Sequence, residues 1–327
     1  MKGKRGFLSL ILGVAVFAGI LYSVGFGNTW RAFTGARFGY IGLTLLFFAL
    51  GSFTRLYKWL LMRDRTEADI GFSEMNGMFF FSKFWGLVSP MRSGEVAPAL
   101  FDRGDAARRG KLLSIILYDR VLETCQSLIV FVVVFFLLYG KLFDVNAGYA
   151  LAGITAALAL FVFVLLSREA GERVFGMADA ALAMFGGRRA ARKLRAFLDG
   201  VKGSMGEFYA ATRSCFTPWF SIYNLSLTFV AWGFDLAFWV VMFKAFSINT
   251  ELLVTVTSVI VYTMVAAVAP TPNGLGVSDL SFVLILGHFG YSGEVGGVII
   301  LSRVLVLGYT FLGYLLFAPK ATCKEAA

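Results

Sequence analysis

Runs of mostly apolar residues, each long enough to cross a bilayer as a helix, recur along this sequence at 7–26, 39–62, 113–139, 147–166, 216–245, 252–269 and 294–318. About 20 apolar residues make one helical crossing, and hydrocarbon leaves a backbone only helices or a closed barrel in which to satisfy its polar groups. Barrel strands alternate in polarity over about ten residues; these runs do not alternate, so the spans are helices. Hydrophobic residues make up 58% of the chain and charged residues 15%, against about 25% charged in soluble domains, which excludes an ordinary soluble fold. The expected class is an all-α polytopic membrane protein.

Two stretches depart from a simple span. Residues 71–90, GFSEMNGMFFFSKFWGLVSP, carry Glu74, Asn76 and Lys83 and end at Pro90, which suits a re-entrant or partly embedded helix. Residues 277–289 are too few for an unassisted span and follow the helix-breaking APTPNGLG. The 252–289 region therefore reads either as two short crossings or as a hairpin that enters and leaves on one side. Counted as crossings, they give eight in all plus the re-entrant segment, within a single transmembrane domain over 1–327. The basic start MKGKR precedes no convincing cleavage site, so 7–26 is expected to be retained. Arg55 and Lys58, near the end of the second span, are expected to snorkel to an interface.

Charge sets the orientation. The polar interval 168–215 is rich in Arg and Lys, and Leu194, Phe197, Leu198 and Val201 have the spacing of an amphipathic helix lying on acidic headgroups. With both termini cytoplasmic, 21 basic residues fall on the cytoplasmic side and only Arg31, Arg37 and Lys141 opposite, the asymmetry that orients a multi-pass protein in the inner membrane of a cell. The same asymmetry accounts for the net charge of +10, so the bilayer, not nucleic acid, is the expected partner. A lone histidine, His288, and scattered Cys125, Cys215 and Cys323 exclude a disulfide framework, a histidine-rich metal site or a repeated Ser-His triad. Without a glycine-rich nucleotide motif, neither a cofactor nor ATP-driven transport is expected.

Three polar clusters interrupt the apolar sequence, where each charge costs about 2.5–3.5 kcal/mol on insertion. In SPMRSGE, Pro90 and Gly94 free backbone groups from helical pairing, while Arg92 and Glu95 place opposite charges within a turn. In LYDRVLE, Asp119 and Glu123 share a helix face and Arg120 can reach Glu123; the leftover negative charge calls for an outside cation or Arg92. In APTPNGLGVSDL, Pro272, Asn273, Gly274 and Gly276 break the chain before Asp279, which could simply cap the next helix. Glu95 precedes Arg120, and Asp279 precedes Arg303, by nearly the same interval. A Pro/Gly break, an acid and then an arginine one helix later, in both halves, is the layout of two pseudo-repeats with broken helices around a central site. Ordinary interfacial turns and structural salt bridges remain the alternative readings.

The motifs Pro90-x-Arg92-x-Gly94-Glu95, Asp119-Arg120-x-x-Glu123 and Pro270-x-Pro272-Asn273-Gly274-x-Gly276-x-x-Asp279, followed by Arg303, resemble those of the flippase-like membrane family related to the N-terminal region of lysylphosphatidylglycerol synthases, over nearly the whole chain. Asp119, Glu123, Asn273 and Asp279 depart from the residues usual there while keeping charge or turn chemistry. The resemblance implies movement of a lipid or lipid-linked headgroup between leaflets, with an anionic phospholipid or polyprenyl-linked lipid as partner and the three clusters as its site. Synthases of this kind continue into a large soluble catalytic domain, whereas this chain ends at Ala327, so enzyme activity is not expected. A membrane-embedded glycosyl- or phosphoryl-transferase using Glu95, Asp119, Glu123 and Asp279, and a structural membrane protein, are the alternatives. The sharpest expectation is geometric: Arg303 should lie beside Asp279, Glu123, Asp119 or Glu95, in one polar centre shared by the clusters.

Overall fold

A computed structural model of the chain describes residues 37–102, 104–138, 205–291 and 295–317, with residues 167, 169 and 173. Among the described residues there are nine α-helices: α1 Phe38–Arg65, α2 Phe72–Val88, α3 Ala97–Phe101, α4 Ala106–Leu138, α5 Met205–Cys215, α6 Pro218–Ala245, α7 Leu252–Val268, α8 Val277–His288 and α9 Val295–Phe317. Four of them, α1, α4, α6 and α9, are long and apolar enough to cross a membrane. That is four long spans where the sequence suggested eight crossings; the runs at 7–26 and 147–166 and the amphipathic helix near 194–201 lie outside the described residues.

Helix α4 begins at Ala106, a full turn and more before the expected 113. The charged stretch before it is helical because Asp105 Oδ1 accepts the Arg108 N–H at 2.8 Å, an N-terminal cap followed by two alanines. LYDRVLE consequently sits several turns inside the helix rather than at its start.

Long-range hydrogen bonds fix which ends of the helices meet. Arg65 Nε donates to Ser214 O, Lys111 Nζ to Glu67 O and Arg108 Nη1 to Asp69 O. One end of the bundle thus gathers the end of α1 and the starts of α2, α4 and α6, and carries Arg63, Arg65, Arg108, Arg109, Lys111 and Arg213. At the other end Arg37 N donates to Ala245 O, and Tyr40, Phe246, Ile248, Phe289, Tyr291 and Val295 pack into one apolar cluster. The start of α7, the end of α8 and the start of α9 therefore share that end. Helices α7 and α8 fold back on each other as a hairpin, and the 12 residues of α8 reach only about 18 Å.

The two breaks meet in the middle. Residues 89–96 form a left-handed turn at Met91 and Arg92 and a 3₁₀ turn over Ser93–Val96, and Asn273, Gly274 and Gly276 likewise have positive φ. Pro90 and Pro272 pair as an isolated antiparallel bridge, with Met91 N donating to Ala269 O at 3.1 Å. In chain order, each half reads long helix, medium helix, break, short helix, long helix: α1–α4 and α6–α9. Apolar clusters flank the meeting point, one around Trp59, Met75, Phe79, Leu112 and Ile115 and the other around Trp239, Phe243, Phe282 and Val298.

Gly94 is required by this geometry: a Cβ there would strike the Trp85 carbonyl oxygen, which is backbone and cannot give way. Gly94→Ala is expected to lower the melting temperature in detergent, a loss of about 1–3 kcal/mol. Gly42→Ala, where a Cβ would meet open space, should leave it unchanged.

Candidate functional site

Each break is held by an arginine from the long helix that follows. Arg303 on α9 donates through Nη2 to Asp279 Oδ1 at 2.8 Å and to Ser278 Oγ at 3.0 Å, and through Nη1 to the Asn273 carbonyl at 3.0 Å. Asp279, fully buried, also accepts the Gly276 N–H at 2.9 Å. The capping role and the ion pair anticipated as alternatives for Asp279 are thus both present, one on each carboxylate oxygen. In the first half Arg120 on α4 pairs with buried Glu95 and, at 2.8 Å, with Glu123, while Arg92 approaches Glu95 at 2.9 Å. The matched intervals in the sequence correspond to matched contacts. Gly86 makes room for them, since a Cβ there would overlap the Glu95 side chain.

Sequence reasoning missed the partners of the LYDRVLE acids. Lys58 is not snorkelling: it is fully buried and bonds Asp119 at 2.7 Å, with Trp59 Nε1 donating to the other oxygen at 2.9 Å. Arg55 likewise turns inward, pairing with Asp235 on α6 and lying 3.6 Å from Glu123. Lys83 on α2 sits 3.7 Å from Asp119 and 3.4 Å from Glu123. The cations expected from outside the motif are therefore Lys58, Lys83 and Arg55; Arg92 serves Glu95 instead. Arg92, counted with the cytoplasmic charges, belongs to the interior. No local signal separates the two outcomes, because a long side chain inside an apolar helix is as well placed to meet a buried acid as to reach an interface.

These groups enclose one cavity of about 220 Å³. Of the residues expected at the site, Arg92, Glu123, Asn273 and Arg303 line it, joined by Arg55, Lys83, Asp235, Gln126, Trp232 and Tyr262. Glu95, Asp119, Arg120 and Asp279 stand behind these as buried partners, and Pro90, Gly94, Pro272, Gly274 and Gly276 shape the turns. The Arg303 guanidinium lies over the Tyr262 ring, 5.4 Å from its centre, a cation–π contact. Arg92 Nε, Gln126 Nε2 and Trp232 Nε1 are buried donors without a hydrogen-bond partner among the described residues, and all three side chains line the cavity.

Long apolar helices around paired broken helices, with charges gathered at the breaks, define a multi-pass helical membrane protein with a polar centre. The sequence model described as "Lysylphosphatidylglycerol synthase TM region" matches residues 8–316, and the chain belongs to that family. It is 23% identical over 310 residues to a "UPF0104 membrane protein" of Methanothermobacter thermautotrophicus, covering 90% of this chain and 88% of the relative. No solved structure matches the chain.

Lys58 and Asp119 give a test of the buried network. Lys58→Met should destabilise the protein by about 3–5 kcal/mol, because it leaves a carboxylate buried near a weaker partner. Adding Asp119→Leu should recover part of that loss, since an apolar pair of similar size replaces both charges, while the buried Trp59 N–H left without its acceptor retains about 1–3 kcal/mol of it. Thermal unfolding of the two variants in the same detergent measures the difference.

Proposed function

We propose that the chain carries a lipid or lipid-linked headgroup across the membrane without ATP hydrolysis, the central cavity holding the headgroup at the midpoint of its path. The observation that carries this reading is the cavity itself, lined by Arg55, Lys83, Arg92 and Arg303 where two broken hairpins from opposite ends touch. Guanidinium groups grip phosphate through paired N–H donors while the tails stay in hydrocarbon. Irregular backbone at membrane depth is tolerated where it is buried or lines a polar cavity, and binding sites of helical transporters lie at such breaks. An anionic phospholipid or polyprenyl-linked lipid fits this chemistry. The packing-only alternative needs a sealed interior with every charge satisfied; the cavity and its unpartnered donors weigh against it.

On this reading, residues 1–327 work as one flippase-like transmembrane unit, α2–α3 and α7–α8 are re-entrant from opposite faces, and the spans number six, including 7–26 and 147–166. The basic end of the bundle is cytoplasmic, as are both termini, in the inner membrane of a cell.

Two measurements test this. With the native cysteines replaced, Glu251→Cys, exposed at the less basic end, should react with an impermeant maleimide added to intact cells, and exposed Asp105→Cys should react only after lysis; the reverse pattern rejects the orientation. Cys215 itself is buried, its thiol pushed up to about 11 by that burial, so it should be a poor competitor in either assay. In vesicles containing the purified protein, leaflet exchange of a fluorescent anionic lipid should exceed that of empty vesicles. Arg303→Ala should abolish the excess, and Arg303→Lys should restore only part of it, since lysine lacks the planar fork. Metal-dependent formation of a covalent product would instead favour a transferase.

A further inference from the structure

A second cavity adjoins the charged one. It is apolar, about 550 Å³, and lined by Ile129, Val133 and Leu137 of α4, Phe229 and Trp232 of α6, and Leu252, Leu253 and Val256 of α7. Trp232 lines both cavities. Its indole N–H is buried and has no hydrogen-bond acceptor among the described residues, although a buried indole normally finds one. Ile129, Val133 and Leu137 stay well exposed along one side of α4, as does Leu252 on α7, so the apolar space opens laterally between these helices.

The charges at the centre leave a remainder. Arg55, Lys58, Lys83, Arg92, Arg120 and Arg303 face Glu95, Asp119, Glu123, Asp235 and Asp279, one cation more than acids among the described residues. Three pairs are closed: Lys58 with Asp119, Arg55 with Asp235, and Arg303 with Asp279. Arg120, Arg92 and Lys83 then share Glu95 and Glu123. Arg120 contacts both acids from behind the cavity wall, whereas Lys83, in a long 3.4 Å hydrogen bond to Glu123, and Arg92, with an unpartnered Nε, reach the cavity itself. The surplus positive charge thus falls on Lys83 and Arg92, both lining the charged cavity.

From these two observations we infer that the centre binds a lipid with a single phosphodiester charge, its phosphate between Lys83 and Arg92, its ester linkage accepting the Trp232 N–H, and one tail leaving between α4, α6 and α7. The charged cavity, smaller than the roughly 300 Å³ at which drug-sized sites begin, holds a phosphate and its nearest atoms but not a tail. The larger apolar space starts at the same tryptophan. A monoanion neutralises the surplus cation, whereas a phosphomonoester dianion would reverse it. The inference rests on the headgroup reading given above and adds the charge of the ligand and the route of its tail.

Binding to the full chain in detergent, measured by native mass spectrometry, tests the phosphate contacts and the tail route separately. The probes are lysophosphatidylglycerol, which has one phosphodiester and one tail, glycerophosphoglycerol, the same headgroup without a tail, and monoacylglycerol, the tail without the phosphate. Lysophosphatidylglycerol should bind most tightly. Arg92→Gln and Lys83→Gln should each weaken both phosphate probes about tenfold or more. Val133→Trp, which fills the apolar space from an exposed position, should weaken lysophosphatidylglycerol about tenfold and leave glycerophosphoglycerol unchanged. Trp232→Phe keeps the ring and removes the N–H, and should weaken the tailed probe about fivefold. If Arg92→Gln abolishes binding while Val133→Trp and Trp232→Phe do not, the tail runs elsewhere or a segment of this chain fills the space; the tail route is then wrong and the headgroup site survives. If monoacylglycerol binds as well as lysophosphatidylglycerol and the charge variants change nothing, the phosphate site is wrong, and with it the proposed function. Circular dichroism and melting of each variant confirm folding.

Discussion

An ion left unpaired in hydrocarbon is costly enough to dictate structure, and among the described residues eleven ionised side chains gather around one point at the middle of the bundle. Every nearby element is arranged to serve them. α2 and α7 stop where they do because Pro90 and Pro270 end the helical ladder, and the released backbone is tied by Met91, Ser89 and Asn273 to the opposite turn. α4 and α9 then supply Arg120 and Arg303, whose guanidinium groups satisfy the acids that follow each break. Between helices, lipid offers little hydrophobic drive; these ion pairs and the close packing at Gly86 and Gly94 give the bundle its specific register.

The network also shows why the site is a cavity rather than a plug. Replacing a closed ion pair by apolar residues is often neutral or better for stability, so packing alone does not explain the retention of so many charges. Lys58–Asp119, Arg55–Asp235 and Arg303–Asp279 are closed. Lys83 and Arg92, which face the cavity, are held more loosely, Lys83 by a long 3.4 Å hydrogen bond to Glu123 and Arg92 with its Nε unpartnered. On the proposed function, this less satisfied inner surface would be preorganised, since the donors aimed inward need not be broken away from strong partners before a headgroup arrives.

Legibility in the sequence followed the strength of the local signal. The apolar runs gave the helices α1, α2, α6, α7, α8 and α9 to within a few residues, because length and hydropathy are properties of contiguous sequence. Pro and Gly marked both breaks, and an acid followed by an arginine recurred after each, but which arginine met which acid was left open among Asp279, Glu123, Asp119 and Glu95 for Arg303 and between Glu95 and Glu123 for the first half. Lys58, Arg55, Lys83 and Asp235 were not legible as site residues. Each is an isolated charge in an apolar helix, and nothing local distinguishes a side chain that snorkels from one that turns to an acid on another helix.

By itself the sequence determined the membrane class, the positions of the breaks and the recurrence of an acid and then an arginine after each, since all three rest on the chemistry of neighbouring residues. The tertiary structure decided that α7 and α8 fold back as a hairpin, that Pro90 meets Pro272, that Lys58 turns to Asp119 and that Trp232 stands between a charged and an apolar cavity. Those choices depend on which helices pack together, α1 with α6 and α2 with α9. Low dielectric then selects, among the arrangements the sequence permits, the one that brings Lys58 to Asp119, Arg55 to Asp235, Arg120 to Glu95 and Arg303 to Asp279, each pair more than twenty residues apart.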